Sequence, residues 1–237
     1  MKSEEFRKNG HALIDWMADY MDSVENLDVR SQVKPGDILS VLDDEPPVEG
    51  EPMEDIFEDF KKKIIPGMTH WQHPSFFAYF PANSSPPSVL AEMLTSTLGA
   101  QCMLWQTSPA ATEMETRITG WLQKMTGLPS GFHGVIQDSA SSATLCALLT
   151  AREKATDWRT NKEGMNSLSS SLIVYTSEEA HSSTEKGAKI AGFGKDSVRL
   201  IRTDNQFKMC PEALRCAVVD DISNGHTPTC VVASMGT

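Results

Sequence analysis

The chain has 237 residues, of which 40% are apolar, and its mean hydropathy of −0.30 is ordinary for a globular protein. No segment approaches the roughly 18 apolar residues of a membrane-spanning helix, and the first ten residues lack a signal-peptide pattern, so we expect neither a membrane span nor a secretory signal. The 32 acidic and 21 basic residues give a net charge of −11, which disfavours a nucleic-acid partner.

Five cysteines occur, at Cys102, Cys146, Cys210, Cys216 and Cys230. Their number is odd, their spacing shows no pairing, and most of them lie in apolar runs. We therefore expect buried, reduced thiols and a cytoplasmic location.

The amino-terminal part of the sequence predicts a helical arm. Apolar residues recur at helical spacing over residues 4–24 and again over 53–64, where Pro66 and Gly67 end the pattern. Between these helices, the acidic and proline-containing segment 43–52 is predicted to be a solvated connection. Residues 68–87 are rich in aromatics and prolines and are expected to form a structured loop.

The rest of the sequence predicts an α/β layer. Helices are expected over 87–98 and over 109–125, the second capped by Ser108 with Pro109 at its first position. Short strands are then expected at 134–137, 172–175, 198–201 and 230–233. Helices between them, including one over 143–154 and one opened by a capping box from Ser182 to Glu185, indicate parallel strands.

Three small features lie where such a sheet collects ligands, at the carboxyl ends of strands. Ser139, Ala140 and Ser141 begin a helix and would let a phosphate approach the backbone, although ordinary helix caps look the same. His181 follows a strand and could stack on a cofactor or move protons, or could simply bond within its turn. Thr237 follows the last strand. His70 and His73 are interpreted as structural loop histidines.

Four strings occur in order: HWQHPSFFAYFPANSS (70–85), SPAATEMETRITGWLQKMTGLP (108–129), GVIQDSASSATLCALL (134–149) and SEEAHSSTEKGAKIAGFG (177–194). Together they closely resemble the pyridoxal-phosphate-dependent group II amino-acid decarboxylases. Within that family they are most similar to the aromatic-L-amino-acid branch, which includes DOPA, tyrosine and tryptophan decarboxylases.

The resemblance implies an α/β architecture of the fold type I PLP-dependent transferase class. In it, residues 1–85 form a helical dimerisation arm and substrate loop, and residues 86–237 form the first part of a mostly parallel, seven-stranded large domain. The implied cofactor is pyridoxal 5′-phosphate, and the implied assembly is a homodimer. The resemblance assigns cofactor binding to Ser139, Ala140, Ser141, His181 and Thr237, with His181 also catalytic. It assigns the substrate pocket to Trp71, Tyr79, Phe80, Pro81, Ala82, Gln101 and Met103.

The family's chemistry needs a semi-buried lysine and a carboxylate at the pyridinium nitrogen. None of the thirteen lysines follows an apolar strand, and both groups lie beyond the position of Thr237 in the family. We therefore expect this chain to be an amino-terminal half that acts with a carboxyl-terminal half. Two alternatives stay open: a decarboxylase of a glutamate-like amino acid, which the absence of lysine and arginine from 71–82 disfavours, and a non-catalytic relative that serves as a dimerisation or binding module.

Overall fold

The computed structural model describes residues 1–80 and 84–234, which divide into two compact units, Met1–Gly99 and Ala100–Thr237. The helices are α1 (Ser3–Ser23), α2 (Asp37–Ser40), α3 (Met53–Asp59), α4 (Pro86–Leu98), α5 (Pro109–Met125), α6 (Ala140–Ala155), α7 (Arg159–Glu163), α8 (Ser183–Ile190) and α9 (Pro211–Ser223). The strands are β1 (Leu172–Ser177), β2 (Val198–Ile201) and β3 (Thr227–Val232). None of the described helices combines the length and apolar content that crossing a bilayer requires.

The first unit is built on aromatic contacts between its two predicted amphipathic helices. Trp16 of α1 stacks on Tyr20 at 5.4 Å between ring centroids, and its ring meets Phe57 and Phe60 edge-on at 5.8 and 5.3 Å. The predicted second helix continues past α3 as a wider π-helical turn, Phe60–Ile64. The contacts of α4 assign it to this unit. The boundary at residue 85 between the dimerisation arm and the large domain stays a prediction.

The two loop histidines of this unit make structural hydrogen bonds, as the sequence indicated. His70 is buried, and its Nδ1 lies 2.7 Å from the Tyr20 hydroxyl, while its backbone N–H donates to the Val29 carbonyl. The His73 ring bonds the Glu25 carbonyl at 3.2 Å. These bonds hold the start of the aromatic loop against the end of α1.

The second unit contains a parallel sheet in the order β2-β1-β3. Val174 of β1 pairs with Val198 on one side and with Cys230 on the other. The β1–β3 register is irregular beside Pro228, which has no N–H to donate to the ladder. The parallel strands and the helices between them confirm the α/β prediction.

Each face of the sheet has its own apolar cluster, because successive residues of a strand point to opposite faces. Val174 faces α6 and α8 in a cluster that includes Leu148 and Ala188. Ile173 and Tyr175 face α9. α6 and α8 therefore cover one side of the sheet and α9 the other.

The strand expected at 134–137 is absent from the described structure. These residues have no regular secondary structure, and the Ile136 N–H donates to the Glu115 carboxylate of α5 at 2.7 Å instead of to a neighbouring strand. A Cβ at Gly134 would lie 2.6 Å from Cβ of Thr119, so only glycine lets the chain pass α5 this closely. An apolar run becomes a strand only where another strand supplies hydrogen-bond partners, and none of the described strands does so for this run.

Two smaller expectations are also wrong. Ser182 precedes α8, but its side chain makes no capping bond, and Glu185 pairs with Lys189 at 3.0 Å instead of closing a capping box.

The five cysteines are free thiols, as expected, but none of them is buried. Cys146 and Cys216 lie on exposed helix faces, and Cys230 is partly covered within β3, where burial raises its thiol pKa. An apolar sequence neighbourhood does not fix which helix face a residue occupies.

A buried carboxylate joins the sheet to α9. Asp221 accepts a hydrogen bond from the Tyr175 hydroxyl at 2.9 Å and is paired with the Arg199 guanidinium, whose Nε lies 3.1 Å from both carboxylate oxygens. Only 6% of the Asp221 side chain is exposed, against 31% of the Arg199 side chain. The hydrogen bonds from Arg199 hold the pKa of Asp221 below its usual value.

We expect Asp221→Ala to lower the free energy of unfolding by about 3 kcal/mol, because it leaves a buried hydroxyl and a half-buried guanidinium unpaired. The lowered pKa means that the stabilisation is complete above the ordinary aspartate pKa of about 3.9 and is lost as the pH falls through the lower folded-state value. Hydrogen exchange of α9 at several pH values measures both effects. The matched control is Asp220→Ala, at the exposed neighbouring position, which should change stability by less than about 0.5 kcal/mol. Equal effects of the two variants would contradict this account.

Candidate functional site

α6 and α8 lie side by side and run in the same direction. The Arg152 guanidinium, near the end of α6, donates to the carbonyl of Ala191 at the end of α8 at 2.6 Å. Nearer their beginnings, a Cβ at Gly187 would lie 3.1 Å from the Leu148 side chain, so the absence of a side chain lets the helices approach. Because α8 follows β1 directly, both helices begin at the carboxyl edge of the parallel sheet.

The start of α6 is a tight turn of small residues. Ser139 is the N-cap, and its Oγ accepts a hydrogen bond from the Ser142 N–H at 3.2 Å. The N–H groups of Ala140 and Ser141 belong to the first helical turn, where no intrahelical acceptor exists. Both residues are exposed, and the Ser141 hydroxyl has no hydrogen-bond partner among the described residues. This turn presents N–H donors, a hydroxyl and the positive end of a helix dipole, which together suit an anion such as a phosphate.

His181 lies exposed in the turn between β1 and α8. Its Nδ1 lies 2.9 Å from Ser183 Oγ and 3.2 Å from the Ser183 N–H, and its carbonyl accepts from the Thr184 N–H at 3.1 Å. Before it, Ser177 accepts from the Glu179 N–H through Oγ and from the Ala180 N–H through its carbonyl. The imidazole is thus held at the same edge of the sheet as the Ser139 turn, with one ring edge bonded and the other open.

A cleft that the sequence did not reveal lies at the carboxyl ends of β1 and β3. It has a volume of about 340 Å³ and is lined by Ser177, Ala233, Ser234 and the turn at 206–209. That turn is held by Asp204, whose carboxylate accepts from the N–H groups of Gln206 and Lys208. The sequence indicates this cleft only through the small residues that end these strands. Their grouping at one cleft follows from the strand order, which the sequence does not give.

The aromatic loop of the first unit is partly packed upon itself. Trp71 stacks on Phe76 at 4.9 Å and on Tyr79 at 5.6 Å between centroids. Tyr79 and Phe80 are nevertheless 86% and 89% exposed, and Tyr79 has a φ of +57°, which non-glycine residues rarely adopt. The loop therefore presents two aromatic rings to its surroundings at a cost in backbone strain.

The remaining site residues predicted from the sequence fall into two groups. One group lies in a turn of the second unit, and the other lies outside the described residues. Gln101 and Met103 lie in the turn before α5, where the Gln101 carbonyl accepts from the Thr107 hydroxyl at 2.6 Å and Met103 is 72% exposed. Pro81, Ala82 and Thr237 lie outside the described residues. Within the second unit, the structure thus brings Ser139, Ala140, Ser141 and His181 to one edge.

Comparison with known proteins decides the family. The family model described as the pyridoxal-dependent decarboxylase conserved domain matches residues 35–237. The chain belongs to the pyridoxal-dependent decarboxylase family. Its resemblance to the aromatic-amino-acid branch is also supported: tyrosine decarboxylase 4 of Petroselinum crispum is 42% identical over all of this chain and 47% of its own length. Phenylacetaldehyde synthase of Arabidopsis thaliana is 41% identical over all of this chain and 49% of its own length.

Solved structures of this decarboxylase family confirm the fold class. The crystal structure of Catharanthus roseus tryptophan decarboxylase in complex with L-tryptophan superposes with a TM-score of 0.89 at 38% identity, over 98% of this chain and 49% of that one. The three parallel strands and their helices are therefore part of the fold type I architecture expected from the sequence. The chain spans about half the length of the curated relatives it matches.

Proposed function

We propose that this chain provides the cofactor-phosphate turn and the ring-stacking histidine of a pyridoxal-phosphate-dependent decarboxylase of aromatic L-amino acids. The observation that carries the proposal is the common starting edge of α6 and α8, which brings the Ser139 turn and His181 to the carboxyl end of the sheet. Thr237 belongs to the same proposed site through the resemblance.

The described residues fit the cofactor. A phosphate needs donors and close access, and the Ser139 turn offers exposed N–H groups, the unpartnered Ser141 hydroxyl and no bulky side chain. A pyridine ring needs a flat neighbour, and the exposed imidazole of His181 offers one. Bound pyridoxal phosphate supplies an aldehyde that holds the substrate amine and a ring that accepts the electrons released with CO2.

The groups of this chain then have separate tasks. The Ser139 turn binds the phosphate and fixes the position of the cofactor. His181 would stack on the ring, and its unbonded ring edge would be available to a substrate carboxylate or a transferred proton. Within the described ranges 1–80 and 84–234 no lysine is buried, so we propose that the lysine that binds the aldehyde lies in the part of the full-length enzyme that corresponds to the unmatched portion of the relatives.

We propose an aromatic substrate because of the loop around Trp71. Stacked and exposed rings recognise phenol or indole side chains by apolar burial and ring stacking, and an acidic side chain would instead need a basic partner. No lysine or arginine occurs between residues 71 and 82, which disfavours the glutamate-like alternative.

Pro81 and Ala82 complete the proposed loop, and Gln101 and Met103 are proposed to serve the site of a second subunit in a homodimer. All five cysteines are free thiols, which suits the proposed cytoplasmic location.

In the full-length enzyme, we expect Phe80→Ala to raise the KM for aromatic substrates about tenfold, because burial of a phenyl ring contributes about 1.5–3 kcal/mol. Steady-state kinetics with tyrosine, DOPA and tryptophan measures the effect. Phe77→Ala is the matched control, since Phe77 is equally exposed in the same loop but is not a proposed pocket residue. An unchanged KM in Phe80→Ala would remove Phe80 from the pocket.

The reaction itself is tested by measuring products. Incubation of the full-length enzyme with pyridoxal phosphate and an aromatic amino acid should release CO2 and the corresponding amine in equal amounts. Because a relative is a phenylacetaldehyde synthase, aldehyde should be measured beside the amine. Aldehyde in place of amine would assign the synthase reaction, and no CO2 from any amino acid would favour the non-catalytic alternative.

A further inference from the structure

We infer that Ser183 is the positioning residue for His181, fixing both the tautomer and the orientation of its ring. The Ser183 backbone N–H donates to His181 Nδ1 at 3.2 Å, so this nitrogen carries a lone pair and not a proton. The Ser183 hydroxyl, 2.9 Å from the same nitrogen, must then also donate to it. In the neutral imidazole the proton consequently lies on Nε2.

The orientation follows from the same two bonds. A half-turn of the ring about its bond to Cβ would replace Nδ1 by a C–H group and would leave both Ser183 donors without an acceptor. Ser183 is itself held firmly, because it is the first residue of α8, and α8 packs on α6 through Gly187. The His181 carbonyl is bonded to the Thr184 N–H as well, so backbone and ring are joined to the same helical turn.

This arrangement leaves Nε2–H as the available edge of the ring. Nε2 has no hydrogen-bond partner among the described residues, and His181 is exposed. The consequence of this inference rests on the proposed function: Nε2–H would be presented to the substrate as a donor, and Ser183 would act only through His181. Ser182, the adjacent serine, makes no capping bond and has no such role.

The test uses the full-length holoenzyme and three variants. Ser183→Ala removes the hydroxyl donor and keeps the backbone N–H, Ser183→Thr restores a hydroxyl, and Ser182→Ala is the matched control. We expect kcat, normalised to bound cofactor, to fall about tenfold in Ser183→Ala, with KM changed by less than about twofold. Ser183→Thr should recover kcat to within about twofold of the wild type, and Ser182→Ala should match the wild type.

A second readout does not depend on turnover. In 15N-histidine-labelled enzyme, with the His181 signals assigned by their loss in His181→Gln, the Nδ1 resonance of the wild type should be that of an unprotonated, hydrogen-bonded nitrogen. In Ser183→Ala, which keeps the backbone N–H donor, it should shift towards that of a more weakly hydrogen-bonded nitrogen, because the hydroxyl donor is lost. An unchanged Nδ1 resonance together with an unchanged kcat would overturn the role of Ser183. If the wild type decarboxylates no aromatic amino acid, the proposed function fails, and the resonance still decides whether Ser183 sets the tautomer.

Discussion

Replacing His181 by glutamine in the full-length enzyme is expected to lower kcat by about 10²- to 10³-fold while pyridoxal phosphate stays bound. Glutamine keeps polarity and approximate size but loses the flat ring and the titratable nitrogen, and positioned acid–base groups contribute factors of this order. The proposed phosphate-binding turn at Ser139 is untouched, so the cofactor should be retained. Absorbance of bound cofactor and steady-state kinetics measure the two quantities separately.

The control for this prediction is His133→Gln, because His133 is an exposed histidine of the same unit and lies outside the proposed site. It should have wild-type kcat and cofactor content. A His181→Gln enzyme with wild-type kcat would show that the imidazole takes no part in the reaction, and the site at the carboxyl edge of the sheet would need another catalytic group.

Introducing a carboxylate into the proposed phosphate-binding turn at Ser139 is expected to have the second large effect. Ala140→Asp places a negative charge in the first turn of α6, beside the N–H groups that would bind the phosphate. Like charges in contact cost several kcal/mol, so we expect the Kd for pyridoxal phosphate to rise at least about 100-fold. An aspartate is itself tolerated at a helix N-terminus, so the fold should persist.

Titration of the cofactor-free variant with pyridoxal phosphate, followed by absorbance, measures this Kd. The matched control is Thr150→Asp, which adds the same charge at an exposed position in the later part of α6. The control should bind the cofactor with a Kd within about threefold of the wild type. Wild-type affinity in Ala140→Asp would place the phosphate elsewhere.

The helices were predictable because their signals are local. α5 spans Pro109–Met125, as the apolar spacing and the Ser108-Pro109 start indicated, although the Ser108 side chain makes no capping bond. α6 begins at Ala140, three residues before the predicted start. Several serines in 139–142 could cap a helix, and the bond from the Ser142 N–H to Ser139 Oγ decides among them. Such a choice depends on geometry within one turn, which composition does not specify.

The arrangement of the site was less predictable because it depends on contacts between distant segments. Each of Ser139, Ala140, Ser141 and His181 gave a weak signal alone, and only the parallel approach of α6 and α8 at Gly187 brings them to one edge. The strand expected at 134–137 failed for the same reason, since its backbone found Glu115 and not another strand. The bond between His181 and Ser183 is local, yet the sequence predicted a Ser182–Glu185 capping box at this position, and Ser182 makes no capping bond.

The most direct test of the account is a product measurement on the full-length enzyme loaded with pyridoxal phosphate. Tyrosine, DOPA, tryptophan and glutamate are each supplied as the L-amino acid, and CO2, amine and aldehyde are quantified together. The account predicts CO2 and amine in equal amounts from at least one aromatic substrate and none from glutamate. Release of CO2 from glutamate alone, or from none of the four, would contradict it.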